Sequence, residues 1–393
     1  MKKYSLVLEG GGAKGAYQVG AIKALQKRGL EIDCIVGTSI GAINAAFIAQ
    51  GDIDKLEKLW QTLSFQDLMD INNELVENIF CMNFTSEILN EARKKFVKAF
   101  KEKGIDTANI RHLLEMYIDE EKIRNSSIRF GLVTYCLSNM KPQKLFIEDI
   151  PKGKLVDYLM ATSNLPVFKR QKIDNMSFLD GGAYDNCSVE MLYDAGYKNI
   201  IAIKLFKRRN RIRNYSKLKN KKDLNLNIIV PSEELPFILN FETKTLNKLL
   251  KYGYIDTIKQ IDKLDGYKYA IYKIEDEKID RIKDIFTPAF SLEFVKYAKS
   301  SYKIGDNIIN IALEKSLKKL CVFLCGINTK SFKKQVVCLI EYVANKGNVS
   351  KNKIYTLDEL IHKAWKVASK NIEKSKGMEK AVYYFIENIK EDE

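Results

Sequence analysis

The stretch LVLEGGGAKGAYQVG (6–20) places an apolar run of strand length directly before four glycines and an amphipathic segment directly after them. Three of these glycines, Gly10, Gly12 and Gly15, have the G-x-G-x-x-G spacing of a dinucleotide-binding turn. A glycine-rich turn between a strand and a helix exposes backbone N–H groups, so we expect it to hold an anion. The anion could be the pyrophosphate of a cofactor or an oxyanion that exists only during a reaction.

The second turn of the chain carries a serine in a distinctive setting. A strand-like run, EIDCIVG, leads into GTSIG (37–41), and a helix rich in small residues follows at once. This order fits the G-x-S-x-G nucleophile elbow, in which Ser39 stands exposed at a sharp turn. Gly37 and Gly41 remove side chains that would clash where the backbone doubles back. The pattern therefore predicts that Ser39 is a catalytic nucleophile.

Both phosphate interpretations of the first turn lack their second element. A dinucleotide fold usually ends its second strand with an acidic residue for the ribose, whereas this strand ends before Ser39. A P-loop follows its lysine with Ser or Thr, whereas Lys14 is followed by Gly15. A serine that attacks a carbonyl instead needs preorganised N–H groups for the developing oxyanion. We predict that the oxyanion hole is formed by amides of Gly10, Gly11, Gly12 and Ala13.

The proton acceptor for this serine is predicted to be a carboxylate. The chain has two histidines, and both His112 and His362 fall on the polar faces of amphipathic segments. The stretch NMSFLDGGAYDN (175–186) places Asp180 at the end of a strand, where an open α/β sheet presents its chemistry. Asp185 is the competing carboxylate, although Asp185 and its neighbour Asn186 are expected to shape the loop by side-chain hydrogen bonds.

These three motifs, in this order, resemble the patatin-like phospholipase family. Gly10–Gly15, Gly37–Gly41 and Asp180–Gly182 carry the resemblance, and LMATSNLPVF (159–168) extends it. The resemblance implies a serine acyl hydrolase with a Ser39–Asp180 dyad, no catalytic histidine, no cofactor and no metal. It also implies supporting roles in the motifs for the following residues: Lys14, Gly15, Gly37, Gly41, Gly181 and Gly182.

The remaining pattern predicts an α/β fold with a parallel-rich central sheet flanked by helices. Strands are expected near 4–9, 31–37, 128–137, 142–150, 176–182, 199–206 and 226–232. We expect an acyl hydrolase domain over residues 1–265, with a helical insert at 52–124 that lines the acyl-chain pocket. Residues 266–393 are expected to form a mainly helical region of unknown role.

The formal net charge of +15 invites an anionic partner. Residues 204–222 carry ten Lys or Arg and no acid, and each basic residue near an anionic bilayer contributes about 1 kcal/mol of attraction. We therefore predict contact with an anionic membrane surface, and no nucleic-acid partner, because no nucleic-acid motif is present. The residues proposed for this contact are Lys207, Arg208, Arg209, Arg211 and Arg213.

The cysteines and the N-terminus bear on location. Seven scattered cysteines form no disulfide framework, and Met1 is followed almost at once by a strand, which predicts a cytoplasmic chain with possible peripheral membrane contact. The predicted activity is hydrolysis of a phospholipid or another acyl-ester lipid, of the phospholipase A or lysophospholipase type. Two alternatives stay open from the sequence: a lipid transacylase with the same dyad, and a non-enzymatic nucleotide-binding module.

Overall fold

The computed structural model describes residues 3–68, 106–166, 168–207, 212–298 and 306–390. The chain forms two compact units, Met1–Thr257 and Ile258–Glu393. The sequence placed this boundary at 265/266. Residues after Thr257 group with the second unit because local contacts hold them there; for example, Lys259 Nζ donates a hydrogen bond to the carbonyl of Tyr267 at 2.6 Å.

The first unit is built on an eight-stranded sheet. Its strands are β1 (Lys3–Leu8), β2 (Glu31–Thr38), β3 (Arg129–Cys136), β4 (Lys141–Phe146), β5 (Gln171–Ile173), β6 (Met176–Asp180), β7 (Asn199–Ile203) and β8 (Asn225–Ile229). The order is β5-β6-β3-β2-β1-β7-β8, with β4 beside β3. The five strands from β3 to β8 in this order are parallel, whereas β4 and β6 are antiparallel to β3 and β5 is antiparallel to β6. The predicted parallel-rich α/β fold is confirmed; the short β5 was not predicted.

Helices follow the strands and flank this sheet. They are α1 (Gly15–Lys27), α2 (Ile40–Ala49), α3 (Ile53–Thr62), α4 (Phe65–Leu68), α5 (Ala108–Tyr117), α6 (Glu120–Arg124), α7 (Leu155–Thr162), α8 (Val189–Asp194), α9 (Tyr215–Lys219) and α10 (Thr243–Ile261). Small residues let α2 pack closely on β2 and β3. Within the described residues, no helix is both long and apolar enough to cross a membrane. The part of the predicted insert at 69–105 lies outside the described residues.

The strand register brings the ends of three strands together. Gly37 of β2 pairs with Leu8 of β1, and Thr38 of β2 pairs with Val133 of β3. On the other side of β3, the neighbouring Thr134 pairs with Asp180 of β6. Although β6 runs antiparallel, it stops level with the carboxyl end of β2, so the Asp180 backbone lies close to the turn that contains Ser39.

The second unit is mainly helical, as predicted. It contains α11 (Asp276–Asp284), α12 (Pro288–Tyr297), α13 (Asp306–Cys325), α14 (Phe332–Lys346), α15 (Leu357–Asn371) and α16 (Gly377–Lys390), with the two-residue strands β9 (Ala270–Ile271) and β10 (Ile354–Tyr355). Apolar side chains of these helices form one core. The buried Glu341 carboxylate accepts the backbone N–H groups of Tyr267, Lys268 and Tyr269 at 2.8, 3.0 and 3.0 Å, which fixes the segment before β9.

Candidate active site

Ser39 occupies a strained turn between β2 and α2. Its φ of 56° and ψ of −129° lie in a region that non-glycine residues rarely adopt, at a cost of roughly 1–3 kcal/mol. The turn is held because the Ser39 N–H donates to Thr162 Oγ1 at 3.0 Å. A methyl group on Gly37 would lie 2.2 Å from the carbonyl carbon of Gly41, so the close crossing of the elbow requires glycine there. This is the geometry that the sequence predicted for a nucleophile elbow.

Asp180 lies beside Ser39 in a buried position. Its Oδ1 accepts the Gly182 N–H at 2.7 Å, and its own N–H donates to the carbonyl of Asn164 at 2.9 Å. The carboxyl also interacts with the Ser39 hydroxyl, but this contact falls outside regular hydrogen-bond geometry, and Oδ2 has no regular hydrogen-bond partner. Catalytic hydrogen bonds are often long or poorly aligned until substrate is bound. Oδ2 is therefore the oxygen available to accept a proton.

Burial controls the charge of this carboxyl. Removal from water raises the pKa of Asp180 to about 6, against the lowering effect of the nearby Ser39 hydroxyl and of the Gly182 N–H hydrogen bond. A carboxylate with this pKa is a stronger base than an ordinary aspartate and is still ionised at pH 7.

The raised pKa predicts that Asp180→Asn stabilises the fold at neutral pH. Between about pH 4 and pH 6 the folded chain retains a proton that the unfolded chain has released, so the stability of the wild type falls as pH rises through this window. An amide has no such charge. We expect the variant to gain up to about 3 kcal/mol in free energy of unfolding at pH 7 and little at pH 3.

Chemical denaturation at the two pH values measures this difference. Asp174→Asn, at an exposed turn, removes the same charge and should change stability little. An Asp180→Asn variant that is less stable than wild type at pH 7 would show that the ionised carboxylate stabilises the fold.

The glycine turn after β1 lies directly against Ser39. A methyl group on Gly10 would be 3.1 Å from Ser39 Cβ and 2.4 Å from Asn186 Oδ1. Gly12 has φ of +56°, and a methyl group there would be 2.1 Å from the carbonyl oxygen of Ile238. The turn can therefore approach both the serine and the segment near Ile238 only without side chains.

Two of the four predicted oxyanion-hole amides are already used. The Gly10 N–H donates to the carbonyl of Asn186 at 3.1 Å, and the Ala13 N–H donates to the carbonyl of Ile238 at 2.7 Å. These two assignments are corrected, because an N–H engaged in the fold is unavailable to an oxyanion. The other two predicted donors are the amides of Gly11 and Gly12. Neither amide has a hydrogen-bond acceptor among the described residues, and both residues line the cavity beside Ser39.

A buried ion pair fixes the segment that covers the glycine turn. Glu9 pairs with Lys204, and its Oε2 accepts the N–H groups of Leu205 at 2.5 Å and Phe206 at 3.1 Å. Leu205 packs so closely that a methyl group on Gly11 would lie 2.8 Å from it. Lys204, counted in the sequence among residues that could meet a membrane, is therefore part of the interior.

Lys14 is buried and acts within the fold. Its Nζ lies 3.9 Å from the centroid of the Phe206 ring, and burial lowers the pKa of the Lys14 ammonium, an effect that the charges of Glu234 and Glu9 oppose. Cation–π contact of this kind positions the ring. Because Phe206 lines the cavity, Lys14 supports the cavity wall.

A buried polar network joins the start of α1 to the cavity wall. Asn44 Nδ2 donates to the carbonyl of Gly15 and to Gln18 Oε1, each at 3.0 Å. Asn44 Oδ1 accepts the Trp60 Nε1–H at 3.0 Å, and the Trp60 ring stacks on Phe241. Every polar atom named here is satisfied, so the network fixes a rigid wall.

The loop after Asp180 is shaped by Asp185 and its neighbour. Asp185 Oδ2 accepts the Ser188 hydroxyl at 2.8 Å, and the Asp185 carbonyl accepts Thr38 Oγ1 at 3.0 Å. Asn186 Nδ2 donates to the carbonyl of Gly10 at 3.0 Å. A methyl group on Gly181 would lie 2.0 Å from the carbonyl oxygen of Val133. The loop thus joins all three motifs, in agreement with the structural role predicted for Asp185 and Asn186.

Ser39 and Asp180 both line a cavity of about 800 Å³. The remaining wall is mostly apolar, as an acyl chain requires. Residues from the two described parts of the 52–124 segment, 52–68 and 106–124, line the cavity. They are Leu56, Leu59, Trp60, Leu63, Leu68, Ile110, Leu113 and Leu114.

Neither histidine belongs to this site. His112 is exposed on α5, and His362 is half-buried on α15, where its ring stacks on Trp365. Among the described residues no group of His, Cys, Asp or Glu side chains could hold a metal ion.

The basic segment 204–222 divides between interior and surface. Lys207 is exposed, and Arg213 is exposed at the cavity. Three other residues predicted to contact a membrane lie outside the described residues: Arg208, Arg209 and Arg211.

The chain is similar to known proteins in sequence and in structure. Residues 6–193 match the model of the family described as patatin-like phospholipase. The chain is 57% identical over 203 residues to lysophospholipase nte1 of Aspergillus terreus and 27% identical over 202 residues to lysophospholipase NTE1 of Coccidioides immitis. Each match covers 51% of this chain, but only 12% and 11% of those relatives. The solved structure of VipD from Legionella pneumophila has a TM-score of 0.44 at 16% identity, over 99% of this chain and 90% of that chain.

Proposed function

We propose that the chain hydrolyses fatty-acyl esters of phospholipids or related lipids, because residues 6–193 match the patatin-like phospholipase family. Ser39 is the proposed nucleophile and Asp180 the proposed proton acceptor. The observation that carries this proposal is that a strained serine and a buried carboxyl with a raised pKa line the same mostly apolar cavity.

The first half-reaction forms an acyl-enzyme. As Ser39 Oγ attacks the ester carbonyl, its proton passes to Asp180 Oδ2, and the carbonyl oxygen becomes an oxyanion. The amides of Gly11 and Gly12 are the proposed donors to that oxygen. The tetrahedral intermediate collapses when the C–O bond to the lipid alcohol breaks, and Asp180 returns the proton to the leaving oxygen.

The second half-reaction releases the fatty acid. Water enters as the alcohol leaves, Asp180 accepts a proton from it, and the hydroxide attacks the acyl carbonyl. Ser39 then departs with the proton that Asp180 held, which restores the starting state.

This mechanism predicts a specific pH dependence. Protonated Asp180 cannot accept the serine proton, so kcat/KM should rise about tenfold per pH unit below an apparent pKa of about 6 and level off above it. A histidine would titrate in the same range. The matched control is therefore the double variant His112→Gln/His362→Gln, which should keep the acid limb. A flat profile between pH 4.5 and 7, or an acid limb lost in the control, contradicts the assignment.

Product analysis tests the proposed reaction itself. Wild type incubated with a chromogenic short-chain ester and with a lysophospholipid should release free fatty acid in both cases. A labelled acceptor lipid that captures the acyl group instead of water would identify a transacylase. A thermal shift with NAD or ATP would support a nucleotide-binding module, against which the apolar cavity wall argues.

The membrane contact predicted from the sequence is also a proposal. Lys207 and Arg213 are the exposed described residues that support it. The proposed acyl hydrolase domain spans residues 1–265 with its insert at 52–124, and no role is assigned to residues 266–393.

A further inference from the structure

Arg213 is the one cationic side chain among the described residues that line the active-site cavity. Three acidic residues line the same cavity, but each has a partner or a chemical role of its own. Glu9 is paired with Lys204, Asp185 holds its loop, and Asp180 faces Ser39. The positive charge of Arg213 is therefore the feature of this site that the acyl-transfer chemistry does not use.

The Arg213 guanidinium is held in place without a direct ion pair to a described carboxylate, although its charge acts at longer range to lower the pKa of Asp185 and of Glu190, against the raising effect of burial. It lies 3.9 Å from the centroid of the Tyr184 ring, and Nη1 donates to the carbonyl of Tyr184 at 3.3 Å. Tyr184 belongs to the loop that follows Asp180, so the guanidinium is tied to the catalytic loop. No carboxylate among the described residues lies within ion-pair distance of it. The guanidinium thus keeps most of its five donors for a ligand.

The nearby carboxylates are committed elsewhere. Asp185 accepts the Ser188 hydroxyl at 2.8 Å. Glu190 accepts Lys144 Nζ at 3.2 Å and Asn214 Nδ2 at 2.8 Å. A ligand anion at Arg213 would therefore not need to displace an existing ion pair.

We propose that Arg213 binds the phosphate of the substrate's headgroup. This inference rests on the proposed function and names the side chain that would distinguish a phosphate-bearing acyl lipid from an uncharged one. Arg213 lines the same cavity as Ser39 and is exposed, so a headgroup that extends from an ester at Ser39 toward solvent can meet its guanidinium. The planar guanidinium matches two phosphate oxygens at once, which favours a phosphodiester or phosphomonoester over an uncharged headgroup.

Paired substrates test this assignment. Lysophosphatidylcholine and monoacylglycerol with the same short, monomeric acyl chain share the ester and differ in the phosphocholine group, which supplies the phosphate. In Arg213→Gln, the ratio of kcat/KM for the phospholipid to that for the glyceride should fall about tenfold or more, mainly through KM. Arg213→Lys should recover part of this ratio. Lys219→Gln removes the same charge from an exposed site on α9 and should leave the ratio unchanged.

An unchanged ratio of kcat/KM values in Arg213→Gln would overturn the proposal. If the ratio stayed the same because kcat/KM fell equally for both substrates, Arg213 would have only the role of holding Tyr184. Binding of the two amphiphiles to Ser39→Ala, with and without Arg213→Gln, supplies a readout that needs no turnover. If wild type hydrolyses neither substrate while Ser39→Ala shows an Arg213-dependent preference for lysophosphatidylcholine, the proposed hydrolysis is rejected and the headgroup site is retained. Equal binding of both amphiphiles, or Arg213-dependent binding of inorganic phosphate with no such preference, would reject the headgroup site.

Discussion

Replacing Ser39 by alanine is expected to lower kcat/KM for ester hydrolysis about 10⁴-fold or more and to abolish labelling by a fluorophosphonate. The expectation follows from the position of Ser39 at the strained elbow beside Asp180, where its hydroxyl supplies the attacking oxygen. Without that oxygen, the glycine turn can still bind a carbonyl but no acyl-enzyme can form. Initial rates with a chromogenic short-chain ester, together with gel-based detection of the label, measure both effects.

The matched control is a second serine in the same cavity. Ser163 lines the cavity, and its hydroxyl bonds the Leu159 carbonyl at 2.7 Å within its own helical turn. Ser163→Ala should retain labelling and most activity. If instead Ser39→Ala keeps activity above about 1% of wild type, the nucleophile lies elsewhere.

Replacing Asp180 by asparagine is expected to lower kcat about 10³-fold while the chain stays folded. Asparagine preserves the acceptor for the Gly182 N–H, so the loop keeps its shape, but the amide cannot take a proton from Ser39. Fluorophosphonate labelling should become slow but remain on the same serine. The increase in stability expected at pH 7 gives an independent measure that the variant is folded.

Asp174→Asn provides the control for the loss of one carboxylate and should leave turnover unchanged. An Asp180→Asn variant that turns over at the wild-type rate would remove Asp180 from the mechanism. Attention would then move to Asp185, the competing carboxylate in the sequence.

The motifs that form the site were predictable because each is local. A strand, a glycine pair and a helix of small residues specify the elbow at Ser39, and a strand end followed by two glycines points to Asp180. The parallel order of the sheet follows from short connections between alternating strands and helices. Both histidines fall on the polar faces of amphipathic segments, which predicted that neither belongs to the site.

The rest of the site depends on partners that are distant in sequence. The Gly10 N–H donates to the carbonyl of Asn186, and the Ala13 N–H donates to the carbonyl of Ile238. The sequence alone therefore could not show which amides of the glycine turn are hydrogen-bonded within the fold and which can bind an oxyanion. Lys204 looked like part of a basic surface run, but Glu9 draws it into the interior. The run of like charges carried no signal that one of its members has a buried counter-ion.

The most direct test of the Ser39–Asp180 assignment is to trap and map the covalent intermediate. Wild type and the His112→Gln/His362→Gln variant are mixed with a lysophospholipid, quenched in acid, digested and examined by mass spectrometry. The proposed mechanism predicts an acyl group on the peptide that contains Ser39 in both proteins. An acyl group on another residue, or turnover with no acylated Ser39 peptide on a timescale shorter than one catalytic cycle, would contradict it.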